Sequence, residues 1–88
     1  MTRRTVTIRN RLGMHARPSA LLVTTSGKYE SEVFLIKDGI RVNGKSIMGV
    51  MMLAAEMGSR IEIEVDGPDE EEALEALVKV IESGFGED

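Results

Sequence analysis

One stretch of the chain carries residues that can do chemistry together: Gly13-Met14-His15-Ala16-Arg17-Pro18-Ser19-Ala20. His15 is the only histidine among 88 residues. A neutral imidazole is a competent nucleophile near pH 7, because the reference pKa of histidine is roughly 6.5. It can take up a group and pass it on, which is covalent catalysis. A phosphoryl group is the natural cargo. The start of a helix presents unpaired N–H donors and the positive end of a dipole, and so binds phosphate. Arg17, in the first helical turn, adds a planar fork of donors suited to phosphate oxygens. Gly13 lets the backbone turn tightly beside the ring. The bland alternative for His15 is a satisfied surface or capping histidine, and local chemistry alone leaves both open.

The rest of the chain narrows the chemistry. No second histidine is available as acid or base, no glycine-rich loop leads into Lys and Ser/Thr, and no paired carboxylates mark a cleft. Such a site can hold and hand over a phosphoryl group without making one from a nucleotide. There is no cysteine, which excludes disulfides and thiol chemistry and suits a cytoplasmic protein. One histidine without cysteine gives a transition metal no support, and no cofactor is expected.

The elements that must position these residues read as βαββαβα. Thr5-Val6-Thr7-Ile8 alternates, with Val6 and Ile8 toward a core. A helix runs from Ala16 to about Ser26. Pro18 is harmless in its first turn, and therefore fixes the helix start beside His15. Ala16, Ala20 and Val23, widened by Leu22, form its apolar stripe, and Gly27 caps it. Glu32–Lys37 is a strand with two apolar faces, Val33/Leu35 and Phe34/Ile36. Asp38-Gly39 is a hairpin turn leading into the strand Ile40–Val42. The face with Phe34 and Ile36 packs across the outer side of the sheet; weak self-association is the alternative.

Asn43-Gly44-Lys45-Ser46 is a turn with Ser46 as helix N-cap. The run from Ile47 has too many apolar positions for one buried face, and Gly49 argues for a short helix. Met48 and Met51 line an exposed, adaptable face. Arg60–Val65 alternates cleanly, with Ile61, Ile63 and Val65 inward and Glu62 and Glu64 in solvent. Asp69 is the N-cap of a last helix, whose stripe is Leu74, Leu77, Val78 and Ile81, ended by Gly84. Glu70, Glu71 and Glu72 suit the dipole of its first turn, and need no functional cause.

The chain is long enough for one domain (1–88) with one modest core. No apolar run is long enough to span a membrane, and no signal peptide follows the first residues. Residues 1–55 carry nine Lys/Arg against three Asp/Glu, whereas residues 56–88 carry two against twelve. The basic half holds His15 and suits an acidic partner or an anionic group. Nucleic acid is disfavoured, since one Tyr and two Phe leave little to stack bases on.

The stretch Asn10-Arg11-Leu12-Gly13-Met14-His15-Ala16-Arg17-Pro18-Ser19-Ala20 resembles the active-site signature of the HPr family, phosphocarriers of the bacterial phosphoenolpyruvate phosphotransferase system. Lys45-Ser46-Ile47-Met48-Gly49-Val50-Met51 resembles the second signature of that family, at its expected distance. The likeness covers the whole chain. It implies an α+β fold, an open-faced β-sandwich with a four-stranded antiparallel sheet covered on one face by three helices. It implies that His15 accepts phosphate at Nδ1 from enzyme I, charged by phosphoenolpyruvate, and passes it to an A-type component. On this reading Arg17 stabilises the phosphohistidine, and Met14, Ala20, Ile47, Met48 and Met51 dock partners. Ser46 falls at a regulatory phosphorylation site used by an HPr kinase/phosphorylase. The chain is then a phosphoryl-transfer component, expected to be monomeric, and not a stand-alone enzyme. Ser19 and Met52 depart from the common pattern. The run Gly67-Pro68-Asp69-Glu70-Glu71-Glu72-Ala73-Leu74, with Ser83-Gly84-Phe85, is similar to the nitrogen-related branch, which replaces sugar uptake by a regulatory relay.

Overall fold

In the computed structural model, which describes residues 1–87, the order is β1 (Thr2–Thr7), α1 (Ala16–Ser26), β2 (Glu32–Lys37), β3 (Ile40–Asn43), α2 (Ile47–Met52), β4 (Arg60–Asp66) and α3 (Glu70–Glu82), closed by a 3₁₀ turn at Gly84–Gly86. The strands form one antiparallel sheet in the order β1-β4-β2-β3. The three helices cover one of its faces, as the resemblance implied. Among the described residues, no helix is long and apolar enough to cross a membrane.

The core follows from two periodicities. Alternation on the strands buries Val6, Val33, Leu35, Ile61, Ile63 and Val65. The 3.6-residue period of α3 buries Leu74, Leu77, Val78 and Ile81 against them. Removing each such side chain from water stabilises the fold by about 1.5–3 kcal/mol. The Asp38-Gly39 turn has positive φ at both residues (51° and 80°), which matches the twist of the β2–β3 hairpin.

Four details differ from the sequence reading. The first strand begins at Thr2, because Arg3 and Arg4 pair with Glu64 and Ile63 of β4 despite lacking apolar alternation. The buried face of α1 is Pro18, Ser19, Leu22, Thr25 and Ser26, not the stripe Ala16, Ala20, Val23. Its hydroxyls are buried without penalty, since Thr25 and Ser26 donate to the carbonyls of Leu21 and Leu22 at 2.9 and 3.0 Å. Glu64 is not in solvent. It lies on the outer sheet face between Arg3 and Arg41, both 3.3 Å away, and is only 8% exposed. The guanidinium of Arg41 also stands 3.6 Å from the centroid of the Phe34 ring, so Phe34 packs across that face. Finally, Asp69 occupies the N-cap position of α3, but its side chain makes no capping bond. It reaches instead to Glu30 and Ser31 in the loop before β2.

Candidate functional site

Asn10-Arg11-Leu12-Gly13 brings the chain from β1 to the head of α1. Gly13 has φ +68°, and a Cβ there would stand 2.4 Å from the carbonyl oxygen of Ala55. Only glycine fits both constraints. The close approach lets the N–H of Met14 donate to that same oxygen at 2.8 Å. The backbone leading into His15 is thereby fastened to the segment that follows α2.

His15 is the N-cap of α1, with extended backbone (φ −79°, ψ −173°). Its carbonyl accepts the first helical bond, from Ser19 N–H at 3.0 Å. The N–H groups of Ala16 and Arg17 therefore lie in the turn where no helical acceptor exists, and Pro18 has no N–H to satisfy. The helix thus begins with two donors that have no partner among the described residues, beside a half-exposed imidazole. Arg17 stands in the same turn and is exposed. An open cleft of about 330 Å³ lies next to it, lined by Arg11, Leu12, Arg17, Gly86 and Glu87.

Sequence reasoning missed one partner. The Nε2 of His15 stands 3.1 and 3.0 Å from the two carboxylate oxygens of Glu87, 72 residues away. Asn10 is buried behind them, and its Nδ2 donates to Gly13 O at 2.7 Å and to Glu87 Oε1 at 3.0 Å. The bond from His15, then that from Asn10, hold the Glu87 carboxyl below its ordinary pKa against the opposing effect of desolvation. The charge of Arg17, and that of the imidazole when protonated, add to this. Glu87 is therefore ionised at neutral pH. No local pattern announces it: the contact depends on the chain's last turn returning to the end of β1.

The second predicted cluster lies on α2, which packs beside α1. Ser46 is its N-cap, and its Oγ accepts from Gly49 N–H at 3.1 Å. Ile47, Met48 and Met51 are exposed, Met48 by 76%, and Met52 extends the patch. Ala20 of α1 is half-buried. Met14 differs from expectation. It is 5% exposed and belongs to the core, because the bond of its N–H to Ala55 turns its side chain inward. It therefore presents no surface to a partner.

Comparison with known proteins agrees with this geometry. Residues 2–83 match the family model described as the PTS HPr component phosphorylation site. A phosphocarrier protein HPr from Cupriavidus necator is 52% identical, over 99% of this chain and 98% of its own. A phosphocarrier protein NPr from Proteus mirabilis is 44% identical, over 97% and 96%. The crystal structure of HPr-C-His from Thermoanaerobacter tengcongensis superposes with a TM-score of 0.96, at 48% identity, over 100% of this chain and 99% of that one. With matching sequence over its length and the same fold throughout, the chain belongs to the HPr phosphocarrier family of the phosphotransferase system.

Proposed function

We propose that His15 accepts a phosphoryl group at Nδ1 from enzyme I and passes it to a histidine of an A-type phosphotransferase component. The observation that carries this reading is the half-exposed imidazole at the N-cap of α1, beside Arg17 and two first-turn amides that have no helical acceptor. In the accepting step the Nδ1 lone pair forms the bond to phosphorus. The donor's bond to phosphorus breaks, and its electron pair leaves with the donor. Free N–H groups and the guanidinium face the oxygens throughout, which is stabilisation by donors already in place. The second transfer is the same step with the roles exchanged.

The exposed face of Ile47, Met48 and Met51 suits a carrier that must fit at least two partners in turn, because methionine adapts its shape. Ser46 is a candidate for regulatory phosphorylation by an HPr kinase/phosphorylase. A phosphate there adds roughly −1.5 to −2 charge, which repels an acidic partner. A second reading is a regulatory module of a nitrogen-related relay, acting through the methionine face. It is supported by the similarity to an NPr protein at 44% identity, against 52% for an HPr relative.

The test is incubation with enzyme I and phosphoenolpyruvate, followed by mass mapping. One acid-labile phosphate on His15, lost in His15→Ala, supports the carrier. No uptake from a cognate enzyme I overturns it. Partner binding that survives His15→Ala and changes in Ser46→Asp identifies the regulatory module.

A further inference from the structure

We propose that Glu87 is the positioning residue of His15: its carboxylate accepts the hydrogen bond of Nε2–H, fixes the tautomer that leaves Nδ1 free, and faces the charge the ring acquires on transfer. Two independent observations carry this. The first is the geometry at the ring. Both oxygens of Glu87 lie within 3.1 Å of Nε2. An ionised carboxylate has no proton to give, so the hydrogen of that bond sits on Nε2. In the neutral ring Nδ1 must then hold the lone pair.

The second observation is the backbone that brings Glu87 there. Gly84, Phe85 and Gly86 have φ of 69°, 57° and 72° in succession. Glycine adopts this region freely, but for a bulky residue such as Phe85 it is strained. Such strain persists where the surroundings over-determine it. Here the buried Phe85 ring belongs to the core, and Glu87 N–H donates to Gly84 O at 2.9 Å. The result is a hook that turns the chain back from α3 onto His15. Asn10 completes it, holding the Glu87 carboxylate and the Gly13 carbonyl with one amide.

The proposal rests on the carrier reading above for its consequence, but not for its geometry. When Nδ1 bonds to phosphorus, the ring gains positive charge, shared with Nε2–H. No proton moves in that step, because the ring proton already sits on the side away from phosphorus. Glu87 faces that proton, as the orienting carboxylate of a nucleophile–histidine–carboxylate triad faces its imidazole. It touches neither phosphorus nor the donor, and acts through the ring.

The full chain, with ¹⁵N-labelled histidine, tests this by NMR of the neutral ring. The wild type should show protonation at Nε2 alone, with a proton slow to exchange. Glu87→Ala should give a mixture of tautomers and a fast-exchanging proton, and Glu87→Asp should restore part of the preference. With enzyme I and phosphoenolpyruvate, kcat/KM for phosphate uptake should fall about tenfold in Glu87→Ala, the lower end of what losing a histidine-orienting partner costs. An unchanged tautomer in folded Glu87→Ala overturns the proposal, as does a changed tautomer with an unchanged rate. If the wild type takes up no phosphate at all, the carrier reading fails while the tautomer result still decides the role of Glu87. Glu87→Gln keeps the size of the side chain and loses its charge, so a fall in rate there excludes a simple packing effect.

Discussion

Asp69 and Ser31, 38 residues apart, bond to one another through both side chain and backbone. Ser31 Oγ donates to Asp69 Oδ1, Ser31 N–H donates to the same oxygen at 3.0 Å, and Asp69 N–H donates to Ser31 Oγ at 3.2 Å. Glu30 N–H adds a bond to Oδ2 at 2.9 Å. The loop before β2 is thereby tied to the turn before α3. These bonds, that from Ser31 Oγ foremost, hold the Asp69 carboxyl below its ordinary pKa. A depressed carboxyl stabilises the fold above its unfolded pKa, and that contribution is lost as the pH falls through the folded value. Asp69→Asn should therefore lower the melting temperature at pH 7, and should lose less than the wild type between pH 7 and pH 3. Thermal melts followed by circular dichroism at the two pH values check this. Parallel losses in both proteins would mean that the clamp does not depend on charge.

Ser46 supplies the only side-chain bond that caps α2 among the described residues. Ser46→Ala removes it and should cost about 1 kcal/mol in urea denaturation. Ser46→Asp should keep most of that stability, since aspartate is an equally good N-cap. An unchanged stability in Ser46→Ala would show that the cap contributes nothing.

Gly13 and Gly58 both have positive φ, but their surroundings differ. A Cβ at Gly58 meets nothing within 4 Å, whereas one at Gly13 meets Ala55 O at 2.4 Å. Gly58→Ala should cost about 1–2 kcal/mol, the conformational penalty alone. Gly13→Ala should cost more, and should also slow phosphate uptake by shifting the head of α1. Equal losses by chemical denaturation would contradict the close approach.

Met48 and Leu77 separate surface from core. Met48→Gln should change stability by no more than about 0.5 kcal/mol, while slowing transfer with a partner that docks on α2. Leu77→Ala, at a fully buried position, should cost about 2–5 kcal/mol. Denaturation curves and transfer rates, measured on the same two variants, separate the roles.

What the residues disclosed in advance was whatever rests on local pattern. The stripe of α3 and the alternation of β4 are strong because each element buries one face and wets the other. The start of α1 was readable because Pro18 tolerates few places in a helix. The buried face of α1 was not, because its hydroxyls are satisfied by their own helix and need no partner that the sequence could reveal. Glu64 looked solvated for a similar reason: its cover comes from Arg3 and Arg41 on two other strands. The site divided in the same way. His15, Arg17 and Ser46 stand in local motifs. Glu87 meets His15 only through the return of the chain at Gly84–Gly86, and the inward turn of Met14 follows from a backbone bond to Ala55.

That bond between Met14 N–H and Ala55 O has a mechanical consequence. The head of α1 and the segment leaving α2 share one rigid joint, braced by the close fit of Gly13. The imidazole and the methionine face are then parts of a single stiff body rather than two loops that must find each other. A protein docking on α2 meets the ring at a fixed distance and angle. Little ordering is left for the moment of encounter, because folding has already fixed the arrangement.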